Sequence, residues 1–228
     1  MNNEIDPSAY ARVGGVLYLI IIALGMFEEL FIRGRITAAN LRSMEMLWRT
    51  GIVMELVILI ATIALSVILY VLTRPVHKEL ALLALLFSSI ATAVEGAYVM
   101  QLVEALFPIG GNAYLTAFTP AQLQAMSALA MKAHVFGFGV ALLLFGPFFF
   151  VTGYLLFRSG YFPKPLGVLY ALAGAAYMIN GFVLLLAPRL AGRVFPIMVL
   201  SFIGELSLAL WLLFKGVRFP AVAEIACS

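Results

Sequence analysis

Ionisable side chains recur inside the apolar runs of this chain, where each is costly unless it meets a partner. Glu28 follows "LGMF", Glu55 lies in "GIVMELVILI", Glu95 in "ATAVEGAYVM" and Glu205 in "SFIGELSLAL". A charge at the centre of a membrane helix costs about 2.5–3.5 kcal/mol on insertion scales, so such residues normally face a cavity or one another. Carboxyl groups held in an apolar chamber can act as general acids and bases. That makes Glu95 and Glu205, the two set in the most apolar surroundings, candidate catalytic groups. His134, at the start of the fourth apolar run, has a ring suited to join them as a base. Glu28, Glu55, Tyr98, Tyr177 and Asn180 are candidate ligand-binding groups. Tyr98 lies one helical turn after Glu95, and Tyr177 one turn before Asn180, each placed as a hydrogen-bond partner.

Spacing puts several of these groups at one depth. Glu28 is sixteen residues from Arg12, Glu95 sixteen from Glu79, Asn180 sixteen from Lys164 and Glu55 nineteen from Arg74. At 1.5 Å per residue they lie roughly 24–29 Å from the face that carries the chain ends. Glu205, ten residues from Lys215, lies nearer the midplane, about 15 Å from that face. The half of each span next to the chain ends is nearly pure hydrocarbon, as in "IATIALSVILYVL" and "ALLALLFSSIATA". The pattern predicts an acidic chamber open towards the opposite side and floored by Glu205. Adjacent helical residues point about 100° apart, so only one of Glu28 and Glu29 can face it. Glu28 continues the stripe of Leu17, Ile21 and Leu24. Glu29 is expected to pair at the surface with Arg33, four residues on.

Composition fixes the class of element that carries these residues. Of 228 residues 64% are apolar and 11% charged, against about 25% charged in soluble domains. The excess sits in six runs, at about 13–32, 50–72, 80–106, 135–157, 166–186 and 195–214. Each is long enough to cross a hydrocarbon core of roughly 30 Å. The expectation is an all-α, six-helix membrane bundle occupying residues 1–228 as one domain. An even number of spans puts both termini on one side. The net charge of +3 is spread singly over helix ends, which excludes the concentrated basic footprint of nucleic-acid binding. Cys227 has no second cysteine to pair with. The first run lacks a basic leader and a small-residue cleavage site, so it reads as a retained helix.

Two connections are short, "TRPVHKE" and "RSGYFPKP", and His77 in the first is expected to be solvated. On the other side "ITAANLRSMEMLWRT" reads as an interfacial helix with Leu41, Met44 and Trp48 on one face and a Glu45–Arg49 pair. "FTPAQLQAMSALAMKAH" has Thr119 as N-cap and Pro120 at the first helical position. Continuous with the fourth span it would run about 57 Å, so an amphipathic extension or a bend near Gly137 and Gly139 is expected, with Gly146-Pro147 offering a second kink. "GVLY" occurs at Gly15–Tyr18 and again at Gly167–Tyr170, and "YLLFRSGYFP" resembles "WLLFKGVRFP", hints of internal duplication. Basic residues tie between the two sides. The short loops beside the chain ends favour cytoplasmic termini in the inner membrane.

Three classes of function suit such a chamber. An enzyme would use the carboxyls and aromatic walls on a small lipid-like molecule; no G-x-S-x-G nucleophile motif is present. A proton-coupled carrier or solute-binding component would use the same residues. With only six helices it would need a second copy or a membrane partner. A structural subunit of a larger membrane complex is the third class. Membrane lipids are partners in every case. A di-metal site of the helical-bundle type needs Glu-x-x-His pairs, and none occurs, so no metal is assigned and the cofactor is left open.

The segments "ARVGGVLYLIIIALGMFEELFIRGRI", "HVFGFGVALLLFGPFFFVTGYLLFRSGYFPKPLGVLYALAGAAYMIN" and "IGELSLALWLLFKGV" carry a resemblance over nearly the whole chain. It resembles an uncharacterised bacterial family of six-helix integral membrane proteins known only as a domain of unknown function. The family pattern includes matches for Glu28, Arg33, His134, Arg158 and Glu205. It usually shows aspartate where this chain has Glu55 and Asn180, and the second departure removes a charge. The resemblance implies the fold and membrane residence, and supplies no activity.

Overall fold

The computed structural model describes residues 6–218; Cys227 lies outside them. Helix α1, Pro7–Phe27, starts at an Asp6 cap that accepts from the Ser8 amide at 2.9 Å, with Pro7 in the first turn. It runs into a single wider, π-helical stretch, Glu28–Arg33. Then follow α2 (Glu45–Thr73), α3 (Lys78–Glu104), α4 (Pro120–Arg158) and α5 (Lys164–Leu186). The short α6 (Ala191–Val194), with a 3-10 turn on either side, leads into α7 (Met198–Phe214). Among the described residues six helical segments are long and apolar enough to cross a membrane, α6 and its flanking turns counting with α7. Large apolar side chains such as Val53, Ile60, Ile63, Leu86 and Ile90 point outwards. In water that surface would be costly; in hydrocarbon it costs nothing.

One segment differs from expectation and another settles an alternative. Residues 38–44, expected to lie in an interfacial helix, form turns, and the rest of that stretch from Glu45 is the first part of α2. Its apolar face turns inwards: Leu41 is fully buried, and the Trp48 indole donates to the Leu102 carbonyl at 2.9 Å. The Glu45–Arg49 pair does form, at 2.8 Å. Of the two alternatives for α4 the extension is the one found: it is a single helix of 39 residues, continuous through Gly137, Gly139 and Pro147. Thr119 and Gln122 cap one another's backbone amides and start the helix early. Ser127 then anchors the extension by donating to the Ala105 carbonyl at 2.8 Å.

The long helices form a closed ring. Each packs on its neighbours in sequence, and α7 closes on α1. One core cluster, with Leu72, Leu156, Tyr170, Leu208 and Leu212, lies towards the chain ends and includes the partly buried Trp211. A second, with Ile32, Leu41, Trp48, Ile52 and Leu102, lies towards the long loops.

The seam between α4 and α5 is built from paired glycines. A β-carbon at Gly153 would lie 2.7 Å from the Gly167 carbonyl oxygen, and one at Gly167 2.6 Å from that of Gly153. Gly174 faces the Gly146 carbonyl and Gly181 that of Gly139, each with room for only 2.8 Å. Both glycine rows advance by seven residues in opposite directions, so the backbones stay in contact along the hairpin. Without a hydrophobic drive between helices in lipid, such close approach supplies the attraction through van der Waals packing. Gly153→Ala should therefore lower stability by about 1–3 kcal/mol, the range for overpacking. Gly25→Ala, which meets nothing within 4 Å, should be neutral or raise it by about 0.5–1 kcal/mol. Thermal unfolding of detergent-purified protein checks both; equal effects would refute the seam.

Candidate functional site

The wider turn after α1 decides which carboxylate meets Arg33. In an α-helix the facing residue is four away; in a π turn it is five. The Gly34 amide donates to the Glu29 carbonyl at 3.2 Å, five residues back. Arg33 is thereby aligned with Glu28, and its Nη2 donates to Glu28 Oε2 at 3.1 Å and to Glu55 Oε2 at 2.5 Å. The expected Glu29–Arg33 pair does not form; Glu29 is exposed while Glu28 and Glu55 are buried. The guanidinium also lies over the Phe138 ring of α4, 5.2 Å from its centroid. Glu95 of α3, itself buried, lines the same cleft as Glu28, Arg33 and Glu55. Glu28 Oε1 is buried and has no hydrogen-bond partner. One guanidinium thus stands among three carboxyl groups contributed by three helices.

Glu205 of α7 is the centre of a separate group. The Tyr177 hydroxyl of α5 donates to its Oε1, and Tyr18 of α1 lines the same cleft. Tyr18 is in turn hydrogen-bonded to Tyr170, hydroxyl to hydroxyl at 3.0 Å, with both rings buried. A cleft of about 290 Å³ touches both groups. Between them its walls are apolar and largely aromatic, with Phe138, Leu142, Phe145, Phe148 and Phe202.

Glu28, Glu55, Glu95, Glu205 and Tyr177 therefore meet on one cleft. His134, Tyr98 and Asn180 stand off its wall. His134 sits well inside α4, because that helix begins fourteen residues earlier than the residue itself. Its ring is buried nearly parallel to Phe138, and Nε2 has no partner. Tyr98 lies against Gly137, where no β-carbon would fit, and makes no hydrogen bond to Glu95. Asn180 is buried on α5, and Tyr177, set one turn before it, is bound to Glu205 instead. Among the described residues no three His, Cys, Asp or Glu side chains are grouped to hold a metal ion.

Arg33, Tyr18 and Tyr170 also line the cleft. Regular helix spacing sets Arg33 beside Glu29 at the surface and so hides its place there. Tyr18 and Tyr170 are the tyrosines of the two "GVLY" copies, so the repeat itself was the available signal.

A ring of membrane-crossing helices with its ionisable side chains gathered inside defines a multi-pass integral membrane protein. Residues 13–216 match the family described as Domain of unknown function (DUF4386), and the chain belongs to that family. An uncharacterized protein of Archaeoglobus fulgidus is 30% identical over 167 residues, spanning 73% of this chain and 84% of the relative. The likeness therefore extends to archaea. No solved structure matches the chain.

The ion-pair network yields a thermodynamic test. In a double-mutant cycle, Arg33→Met and Glu55→Gln should couple by about 0.5–3 kcal/mol, as neighbours in one network do. Chemical unfolding in mixed micelles measures the coupling. Additive effects would mean that the pair contributes nothing to stability.

Proposed function

We propose that the cleft binds a small, mostly apolar, lipid-like molecule and exchanges protons with it. The observation that carries this reading is the pairing of an aromatic-walled cleft with carboxyl groups at two depths. A volume of about 290 Å³ falls just short of the usual range of ligand pockets, about 300–1,000 Å³, and suits a small ligand. The surplus of carboxyls over Arg33 calls for a proton or a cationic ligand group near Glu28 and Glu95. Phenylalanine faces along the wall would steady a positive charge on the ligand. With Glu95 and Glu205 in the cleft, one carboxyl can protonate a double bond while a carboxylate removes a proton from a neighbouring carbon. Such an isomerisation conserves atoms and electrons and needs no co-reactant. In this reading the cleft opens towards the long loops, and both termini lie in the cytoplasm below the inner membrane.

Proton-coupled passage of a solute is the second reading. The π turn at Glu28–Arg33 and the broken helix before Met198 favour it, because interrupted helices often line binding sites in carriers.

Mass spectrometry of lipids extracted from the purified protein tests the first reading. A small amphiphile should be enriched over control membranes. Glu95→Gln and Glu205→Gln should keep it bound and stop its conversion. Full conversion by both variants would end the acid–base reading. If nothing is enriched, and neither dodecylamine nor a branched isoprenoid alcohol raises the melting temperature, binding itself fails. Solute flux in proteoliposomes driven by a pH gradient would select the second reading.

A further inference from the structure

A second pocket lies at the opposite end of the bundle and shares no wall residue with the cleft. It occupies about 300 Å³ where the turn between α2 and α3 faces the last turns of α4. Pro75, Val76 and His77 form one wall, and Tyr154, Arg158 and Tyr161 the other. We propose that this pocket binds a phosphate ester, with the headgroup of an anionic membrane lipid as the source its position favours.

Charge is the first argument. No carboxylate lines the pocket. Arg158 is exposed and forms no ion pair among the described residues, unlike Arg33 and Arg49. Its guanidinium keeps five donors in the planar fork that matches phosphate oxygens. Arg74, immediately before the Pro75 wall, has a buried Nε with no hydrogen-bond partner. Arg12, Lys78, Lys164 and Lys215 belong to the same face of the bundle. Asp6 and Glu79 are its carboxylates among the described residues; Glu79 Oε2 lies 3.2 Å from His77 Nδ1, which accepts from the Leu80 amide at 3.4 Å.

Rigidity is the second. The Tyr161 hydroxyl donates to the Leu72 carbonyl at 2.7 Å, tying the α4–α5 turn to the end of α2. Ser159 donates to the Leu156 carbonyl at 2.8 Å and accepts from the Phe162 amide at 3.0 Å. Gly160 makes the bend with φ of +74°, a conformation open to glycine. These bonds hold the backbone around Arg158 in place before any ligand arrives.

Depth is the third. The apolar spans of α2 and α4 end at Thr73 and Arg158, the level at which headgroups meet hydrocarbon. Tyr154, one turn before Arg158 and exposed, is the amphipathic ring usual at that level. A lipid phosphate at Arg158 would leave its acyl chains along the outer face of α4.

Native mass spectrometry of the full chain, titrated with phosphatidylglycerol and with phosphate-free diacylglycerol, tests the proposal. Phosphatidylglycerol should bind and diacylglycerol should not. Arg158→Gln should weaken binding about tenfold, as loss of a charge-assisted hydrogen bond does. Val76→Glu, which sets a like charge on the opposite wall, should abolish it. Arg193→Gln, removing the same charge from the other side of the membrane, should leave it unchanged. Competition by glycerol phosphate would make soluble esters the ligand; its failure to compete would make the lipid the ligand. Wild-type binding by both pocket variants, or an equal loss in Arg193→Gln, would overturn the site.

Discussion

Hydrocarbon offers no hydrogen bonds, so each polar group carried into it needs a partner from elsewhere in the chain. That constraint orders the bundle. Arg33 fastens the end of α1 to Glu55 of α2. The Ser66 and Ser88 hydroxyls, 2.6 Å apart, join α2 to α3, and Tyr177 with Glu205 joins α5 to α7. Removing one member of such a pair leaves the other buried and unsatisfied, which costs more than the pair itself contributes. The polar links therefore act mainly as specifiers of register and neighbour.

The α4–α5 contact follows a different logic. There the two backbones approach closely along a glycine row, with Leu184, Met178 and Leu143 side chains filling the room left at Gly139, Gly146 and Gly181. The cleft takes its polar groups from α1, α2, α3, α5 and α7, while α4 lends it Phe138, Leu142, Phe145, Phe148 and Phe149. Tyr18 and Tyr170 cross the ring from α1 to α5, helices that are not neighbours in it. Their hydroxyl contact forms part of the cleft lining below the Arg33 group.

Much of this was legible in the sequence. Hydropathy and length fixed the six spans, and counting residues from the charged helix ends brought Glu28, Glu55 and Glu95 to one depth. The cap at Thr119 could be read from "TP". What was lost was local geometry. A single π turn changes the facing residue from the fourth to the fifth, so the pairing of Arg33 could not be derived from regular helix spacing. Leu41 and Trp48 make a stripe that reads equally well as facing a membrane surface or a neighbouring helix. The packing of α3 decides between them. The heptad spacing of Gly139, Gly146 and Gly153, and its mirror in Gly167, Gly174 and Gly181, was visible throughout. It acquires meaning only when the two helices are laid antiparallel.

The chain contains two tryptophans, and they sit in different halves of the bundle. Trp48 is bound to α3 within the core near the long loops, and Trp211 packs against the core near the chain ends. Each half of the molecule thus carries its own intrinsic fluorophore. In variants that keep one indole at a time, emission would report on the level of the Arg33 cluster or on the opposite face, without any label being attached.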